Sequence, residues 1–317
     1  MFINKTVTYI LLFFLVFIVL ELLSRYLLGL GEAALYIESS EFEYIYKPDQ
    51  DASRFGNSIL TNEYSMRSEE LNKGENRILV FGDSVLNGGS LTDHSKLATS
   101  LFEKKLKESC NENARVLNVS AGSWGPDNAF AYLNKYGSFD ANEIILVFSS
   151  HDAHDSMTHE AVVGIHPKFP NTQPYSALTD GFFRYFIPKI KGLLSNPKEV
   201  VATKINKVDF SEVFNSGWIE FIRYSKNHGV NLFVVLHPTK SEIAVGEYNA
   251  NGEEIIKLLS AHKIPFYLEL NDTSVEYYRD EIHYNEGGQY FLYTELYFLL
   301  KQRVCKRQVS EIGSRVY

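Results

Sequence analysis

Short apolar runs alternate with helical patterns through most of the chain, and this alternation constrains the fold more than any other feature of the sequence. Five runs that are rich in β-branched and aromatic residues and bounded by turn formers predict strands: Ile78–Phe81, Val116–Val119, Ile144–Phe148, Leu232–Leu236 and Phe266–Leu268. Helical patterns fall between and after them, at Lys96–Lys107, Pro126–Tyr136, Glu212–Asn227, Glu253–His262 and Glu286–Gln302. Continuous apolar strands separated by helices indicate a mainly parallel sheet covered on both faces. We therefore predict an α/β fold in three layers.

The length and the charge of the chain limit what it can be. Its 317 residues are 22% charged and 45% apolar, and its formal net charge is -8. A chain of this length can hold one sizeable α/β domain with additions, and its composition excludes wholesale disorder. The negative net charge gives no electrostatic support for binding to nucleic acid, so we expect no nucleic-acid partner.

The N-terminal segment Thr6–Leu20 carries no charge and is almost wholly apolar, with Lys5 before it and Glu21 and Arg25 after it. About 18 or more apolar residues are needed to cross the hydrocarbon core of a bilayer, so this segment is close to the lower limit. We expect residues 1–30 to be an uncleaved membrane anchor, with a cleaved signal sequence and a soluble helix as the alternatives. Because Lys5 and Arg25 nearly balance, the flanking charges specify the orientation only weakly.

The first predicted strand of the main domain runs into Gly82-Asp83-Ser84. A serine placed where a central strand ends lies at the carboxyl edge of the sheet, where open α/β folds bind ligands. A serine hydroxyl is a poor nucleophile until an oriented base takes its proton. Near the other end of the chain, Asp280 and His283 offer a carboxylate and an imidazole three residues apart, just before the last helical pattern. This spacing can place the acid and the ring side by side on one loop.

The two blocks Gly-Asp-Ser and Asp-x-x-His, in this order, resemble the first and last blocks of the SGNH (GDSL-type) hydrolase superfamily, over roughly residues 75–303. The resemblance implies a flavodoxin-like α/β/α fold with a five-stranded sheet and no cofactor. It also implies that Ser84 is the nucleophile, His283 the base and Asp280 the carboxylate that fixes the ring. We interpret Asp83 as structural, bonding to amides of its own loop.

Acyl transfer also needs N–H donors that face the developing oxyanion. In the superfamily these are the N–H of the nucleophile, a backbone N–H from a second-block glycine, and an asparagine in a Gly-x-Asn-Asp third block. By this resemblance the donors here are the N–H of Ser84, the N–H of Ser123 or of its neighbour Gly122, and the side chain of His151. Counting along the second block places Ser123 at the glycine position. In the third block, Ser149-Ser150-His151-Asp152 places His151 at the asparagine position, where an imidazole N–H can donate.

Two segments lie outside the strand and helix rhythm of the predicted hydrolase domain at residues 75–305. Residues 31–74 form an aromatic, acidic connector without clear periodicity, in which Asn62–Arg67 resembles an Asn-x-x-Gly-x-Arg segment of membrane-linked members, with Ser65 in place of the glycine. Residues 155–208 hold five prolines and an apolar, cationic stretch, Gly181–Leu194. We interpret this insertion as a lid, a wall of the substrate groove or a membrane-resting patch, with a partner interface as the alternative. Residues 306–317 are predicted to be a tail.

A metal site is the other chemistry that the sequence raises. The run His151–Asp155 contains common ligands, but neighbours on an extended loop point in different directions, and no second cluster shows metal-ligand spacing. We therefore expect no metal, and we interpret His154 and Asp155 as solvated loop charges. His237, at the end of the fourth strand, either lines the pocket or bonds to the backbone.

The two cysteines, Cys110 and Cys305, lie far apart and outside any metal-ligand spacing. We expect them to be small buried apolar residues, or to form one disulfide if the domain is exported.

These features predict a serine esterase that acts on O-acyl esters, acetyl esters in particular. The resemblance to membrane-linked SGNH proteins implies an acylated glycan of the cell envelope as substrate and a catalytic domain outside the cytoplasm. Three alternatives stay open: a glycan O-acetyltransferase that uses the same acyl-enzyme, a catalytically idle glycan-binding or assembly subunit, and a lipid esterase or thioesterase. The altered third block favours the idle subunit, whereas the anchor and the apolar insertion favour the lipid-active enzyme.

Overall fold

A computed structural model describes residues 5–110, 113–194 and 213–313. It begins with helix α1 (Lys5–Leu28), which has no buried residue. Within the described ranges, this is the one helix that is long and apolar enough to cross a membrane, with a mean hydropathy of 2.6 over 18 residues. Its 24 residues extend about 36 Å at 1.5 Å per residue, enough for a hydrocarbon core of about 30 Å. By length and composition, α1 fits either a membrane anchor or a signal sequence.

The connector at residues 31–74 folds into two antiparallel hairpins. The first pairs β1 (Tyr36–Ser39) with β2 (Glu43–Tyr46), and the second pairs β3 (Gln50–Arg54) with β4 (Asn57–Thr61). These strands are only four or five residues long, which is too short for an alternating pattern to stand out in the sequence. The connector is therefore a structured part of the domain, with most of β2 buried.

Five parallel strands form the central sheet: β5 (Asn76–Gly82), β6 (Ala114–Ser120), β7 (Glu143–Ser149), β8 (Asn231–His237) and β9 (Phe266–Leu268). Their spatial order is β6-β5-β7-β8-β9, and every neighbouring pair is parallel. The chain thus leaves β5 for β6 on one side and then crosses to β7 on the other side of β5. Open α/β sheets bind ligands where the strand order reverses in this way. The predicted five-stranded α/β sheet is confirmed.

Helices cover both faces of the sheet, because successive side chains of a strand point to opposite faces. Leu79 and Phe81 of β5 belong to a core cluster that includes residues of α4 (Pro126–Tyr136), α7 (Gly217–His228) and α9 (Ala250–Ala261). Ile78 and Val80 belong to a second cluster, with residues of α3 (Ala98–Ser109) and α10 (Glu286–Gly313). This arrangement confirms the three layers. The short helices α2 (Ser84–Asn87), α5 (Ala177–Gly181), α6 (Ile187–Leu194) and α8 (Lys240–Val245) lie in the connections.

The helix boundaries differ from the predicted ones mainly at the ends. The helix predicted from Glu212 begins at Gly217, and Glu212 itself lies outside the described residues. The last helix, α10, continues to Gly313 and so takes in most of the predicted tail. In the predicted insertion, a π-helical turn joins α5 to α6, whereas residues 195–208 lie outside the described part of the chain.

Cys110 and Cys305 form a disulfide that joins the end of α3 to α10 across 195 residues of sequence. Of the two expectations for these cysteines, the preferred one, a pair of small buried residues, was wrong. The parallel packing of α3 and α10 on the same face of the sheet brings the two Cα atoms to 5.5 Å, a distance that a disulfide bridges.

Candidate active site

Ser84, His283 and Asp280 come together at the carboxyl edge of the sheet. Ser84 begins α2 directly after the central strand β5, and Asp83 caps this turn because its Oδ1 accepts the N–H of Val85 at 2.8 Å. His283 Nε2 lies 2.9 Å from Ser84 Oγ. On the other side of the ring, Nδ1 lies 2.9 Å from each carboxylate oxygen of Asp280. The three groups form a connected series of hydroxyl, imidazole and carboxylate, which is the geometry that activates a nucleophile.

Asp280 is held in place by its own loop. Its Oδ1 accepts the backbone N–H groups of Ile282 at 3.1 Å and of His283 at 2.8 Å. Burial by itself would raise the pKa of Asp280, but these hydrogen bonds and the neighbouring His283 ring outweigh it and hold the pKa below its usual value. The carboxylate is therefore ionised at neutral pH and can keep the proton of the imidazole on Nδ1.

A cavity of about 570 Å³ opens over Ser84 and is also lined by Gly122, Ser123, His151 and His283. Of the two second-block candidates, Ser123 has a left-handed backbone, with φ of 60°, a conformation that glycine adopts most readily. The glycine-like turn is therefore at the position that counting along the block indicates. The hydroxyl of Tyr44, from the first hairpin, donates to the carbonyl oxygen of Gly122 at 2.9 Å and fixes this loop.

His151 lies beside two buried carboxylates at the edge of the cavity. Its Nε2 is 3.5 Å from Asp152 Oδ1 and 3.9 Å from Asp83 Oδ2. Each carboxylate uses its other oxygen to accept a backbone N–H, and Asp152 Oδ1 has no hydrogen-bond partner. Burial opposes charge on the ring, but the two carboxylates outweigh it and raise the pKa of His151 above its usual value. With 46% of its side-chain surface exposed, the ring lines the cavity, whereas burial raises the pKa of Asp152 well above its usual value.

Asp83, His151 and Asp152 also form, within the described residues, a group whose three potential ligand atoms lie within 4.8 Å of one another, close enough for a metal ion. The same atoms form an ion cluster when the ring is protonated, since one positive charge then faces two carboxylates. The sequence does not reveal this group, because Asp83 follows β5 whereas His151 and Asp152 follow β7, and only the sheet brings the two segments together.

Of the two residues that we expected to be solvated loop charges, Asp155 is exposed and His154 is mostly buried. His154 Nε2 lies 2.9 Å from Glu254 Oε2, and the His154 side chain is mostly buried. Asp155 lines the cavity, and burial raises the pKa of its carboxyl group. Packing of the third-block turn against α9 removes the His154 side chain, but not Asp155, from bulk water.

Known proteins resemble this chain only loosely. No family model matches the sequence. No curated protein matches it either. Solved structures do match: a lipase/acylhydrolase from Enterococcus faecalis is 14% identical, covering 72% of this chain and 96% of its own, with a TM-score of 0.42. A member of the lipolytic G-D-S-L family from Veillonella parvula is 9% identical, with coverages of 71% and 98% and a TM-score of 0.38. The chain is similar to GDSL-type proteins.

An acetyl xylan esterase also matches, with 11% identity, coverages of 71% and 99% and a TM-score of 0.40. Because all three overlaps with these structures are loose, the function proposed below rests on the sequence and the geometry of this chain.

His237 supports the loop that carries His283 and does not need the cavity for its contacts. The ring is fully buried at the end of β8, with Nδ1 at 2.7 Å from Glu269 Oε2. Its Nε2 is 2.7 Å from the carbonyl oxygen of Ile282, to which it donates. The hydroxyl of Tyr284 donates to the same Glu269 oxygen at 2.7 Å. Of the two sequence expectations for His237, bonding to the backbone is the one that the structure shows, although the carboxylate partner was missed.

Arg67 supports the other side of the site from the connector. Its guanidinium is buried, with 1% of the residue exposed, and donates to four carbonyl oxygens, those of Ser58, Asn87, Gly89 and Thr92. Ser65, which stands where the resembling segment has glycine, has a left-handed backbone with φ of 65°. The Asn-x-x-Gly-x-Arg resemblance thus marks a tight turn that aims Arg67 at the loop after Ser84.

Proposed function

We propose that this protein is a serine esterase in which Ser84 is the nucleophile, His283 the general base and Asp280 the carboxylate that orients the base. The observation that carries the proposal is the continuous series from Ser84 Oγ to His283 Nε2 and from His283 Nδ1 to Asp280, with each contact at 2.9 Å. The series opens onto a cavity large enough for an acyl group and part of its alcohol.

The reaction proceeds in two half-reactions. Ser84 Oγ attacks the ester carbonyl carbon while His283 Nε2 takes the hydroxyl proton, and a tetrahedral intermediate forms. The imidazolium then returns that proton to the leaving alkoxide, so that the alcohol departs and an acyl-Ser84 ester remains. Water next attacks the acyl-enzyme with His283 again as base, and the carboxylic acid leaves as Ser84 recovers its proton.

The developing oxyanion is stabilised from three directions in this proposal: the N–H of Ser84, the N–H of Ser123 and the charge of His151. One such donor contributes about 3 kcal/mol to the stability of the transition state. His151 replaces a neutral amide by an imidazolium whose charge is maintained by Asp83 and Asp152.

We propose an O-acetylated glycan of the cell envelope as the substrate, with the domain outside the cytoplasm. The support is the resemblance of Asn62–Arg67 to membrane-linked members, together with α1 and the Cys110–Cys305 disulfide. Disulfides persist in oxidising compartments and are rare in the cytoplasm. An acetyltransferase would use the same acyl-enzyme and replace water by a glycan hydroxyl.

Covalent labelling tests the proposal. A fluorophosphonate should label the full-length protein at Ser84, and the protein should hydrolyse small acetyl esters. The variant Ser84→Ala should lose both properties with an unchanged melting temperature, and His283→Ala should also lose labelling. Asp280→Asn should retain some labelling, because the carboxylate only orients the base. Hydrolysis by a folded Ser84→Ala protein would exclude Ser84 as nucleophile, and adding an acetylated-glycan acceptor would reveal transfer.

A further inference from the structure

Three phenylalanine side chains of the insertion are exposed on one helical segment. Phe182, Phe183 and Phe186 have 45%, 65% and 52% of their surface exposed, and they lie in the π-helical turn between α5 and α6. Soluble surfaces rarely leave several large aromatic side chains together in water, so a group of this kind indicates a contact surface. We call these three residues the phenylalanine patch.

The segment that carries the patch is fixed to the end of α1. The carboxylate of Glu21 accepts the backbone N–H groups of Ala177 at 2.7 Å and of Leu178 at 3.0 Å. A buried salt bridge of 2.6 Å joins Asp180 to Arg54 of the second hairpin. Asp180 also accepts the N–H of Gly31, just after α1, at 3.0 Å. The first turn of α5 therefore has a defined position relative to α1.

This position determines the depth of the patch if α1 lies in a bilayer. Glu21 is the first charged residue after the apolar stretch of α1, and Arg25 is the next, so the boundary between hydrocarbon and headgroups lies in the last two turns of α1, close to Glu21. Ala177 contacts Glu21, and Phe182 to Phe186 follow it by five to nine residues. At 1.5 Å per residue, the patch lies within about 14 Å of this boundary, whichever direction the segment takes.

The chemistry of the segment fits a membrane surface. Aromatic side chains are favoured at the interface between hydrocarbon and water. The exposed Lys189 and, in sequence, Lys191 follow the patch, whereas Arg184 lies 3.5 Å from Asp180. Basic residues next to a membrane are attracted to anionic lipid.

We propose that the phenylalanine patch inserts into the headgroup region of an anionic bilayer beside α1, and that Lys189 contacts its lipid phosphates. This proposal rests on α1 lying in the bilayer and not on the esterase chemistry. The segment that carries the patch also borders a second cavity, and residues 167–170 line both that cavity and the cavity of Ser84. Phe183 and Arg184 line a second cavity of about 540 Å³. Pro167 and Pro170 line that cavity, while the residues between them, Lys168 and Phe169, line the cavity of Ser84.

Fluorescence quenching by brominated phospholipids tests the proposal with the full chain in vesicles. The variant Phe183→Trp reports on the patch, and Phe186→Trp replaces it if the first variant does not fold. Leu12→Trp in α1 is the positive control, and Tyr290→Trp, on the exposed surface of α10, is the matched negative control. The native Trp124 and Trp218 are fully buried and supply a constant background. Vesicles of phosphatidylcholine alone are compared with vesicles that also contain phosphatidylglycerol.

We expect quenching above background for Leu12→Trp and Phe183→Trp and none for Tyr290→Trp. Quenching of Phe183→Trp should be stronger with bromine near the headgroup than at the chain end, and it should increase with phosphatidylglycerol. Quenching of Leu12→Trp alone would overturn the proposal, as would the absence of quenching in all variants. Equal quenching in both lipid mixtures would overturn the role of anionic lipid.

Discussion

At the scale of single residues, His151 departs most from what the SGNH pattern predicts, and its surroundings explain how the change is accommodated. An asparagine donates through a neutral amide, whereas His151 is paired with Asp83 and Asp152 and carries a raised pKa. Asp152 Oδ1 is buried without a hydrogen-bond partner, and burial raises the pKa of this carboxyl group well above its usual value. A ring beside it favours the ionised form of Asp152 when the ring is protonated, so His151 and Asp152 form one electrostatic unit.

We predict that His151→Ala lowers kcat by about a hundredfold with little change in KM, because the donor acts only when charge develops on the carbonyl oxygen. His151→Asn should retain much of the activity, since an amide can donate at this position. Steady-state kinetics of the three proteins on one acetyl ester give the comparison. If the alanine variant matches the wild type, His151 does not stabilise the oxyanion.

The pH dependence of kcat distinguishes the imidazole of His151 from the amide of His151→Asn. The raised pKa of His151 means that the imidazolium persists to higher pH than usual, and kcat should fall as the pH rises through that pKa and the charge is lost. Asparagine does not titrate, so this alkaline limb should be absent from His151→Asn. An identical limb in both proteins would assign it to another group.

At the scale of elements, the connector holds the turn that follows Ser84 through Arg67. We predict that Arg67→Ala lowers the free energy of unfolding by at least about 3 kcal/mol, because four carbonyl oxygens lose their buried donor. Arg67→Lys should lose less of this free energy of unfolding, since lysine keeps the charge but not the planar set of N–H donors. Denaturant unfolding measures both variants.

A matched control for Arg67 is Arg223→Ala, which removes an exposed arginine paired with Glu220. Such a pair contributes little, so the change should stay below about 1 kcal/mol. Similar losses for the two alanine variants would show that the carbonyl contacts of Arg67 do not stabilise the fold.

The disulfide also joins elements that are distant in sequence, α3 and α10. Its closed loop is long, so we expect the double variant Cys110→Ser/Cys305→Ser to lose about 2–5 kcal/mol of stability, through the larger entropy of its unfolded chain. A reductant should lower the melting temperature of the wild type to that of the variant. The same reductant should leave the variant unchanged, and an unaltered wild type would contradict the bridge.

At the scale of the whole molecule, the chain combines one α/β/α body with an apolar helix that the body leaves uncovered. The first hairpin and the insertion form part of the wall of the candidate site. Tyr36 of the first hairpin and Phe169 of the insertion both line the cavity of Ser84, and their rings pack at 5.1 Å. The segments that interrupt the α/β rhythm therefore shape the substrate space.

We predict that a reporter enzyme fused after Tyr317 is active only in its exported form, because α1 would leave the domain outside the cytoplasm. A reporter placed before Met1 should show the cytoplasmic signal, and alkaline carbonate should not extract the full-length protein from membranes. A cytoplasmic signal from the fusion after Tyr317 would reverse the orientation. Release by carbonate would exclude α1 as an anchor.

Short-range patterns were sufficient to predict the sheet and to select the candidate site residues. A buried parallel strand requires a continuous apolar run, so Ile78–Phe81 and its counterparts were visible directly, and the three-layer fold followed from their alternation with helices. Asp280 and His283 were recognisable because a spacing of three residues on one loop places a carboxylate next to a ring without help from the rest of the fold.

Tertiary structure alone decided the contacts between residues that are distant in sequence. The neighbouring positions of β5 and β7 place Asp83 beside His151, and the packing of α3 on α10 joins Cys110 to Cys305. The hairpins of the connector were also hidden, since strands of four or five residues carry too little periodicity. Sequence by itself therefore determined the fold class and the candidate nucleophile and base. Folding determined the charge around them, because electrostatic interactions depend on distance in space and not along the chain.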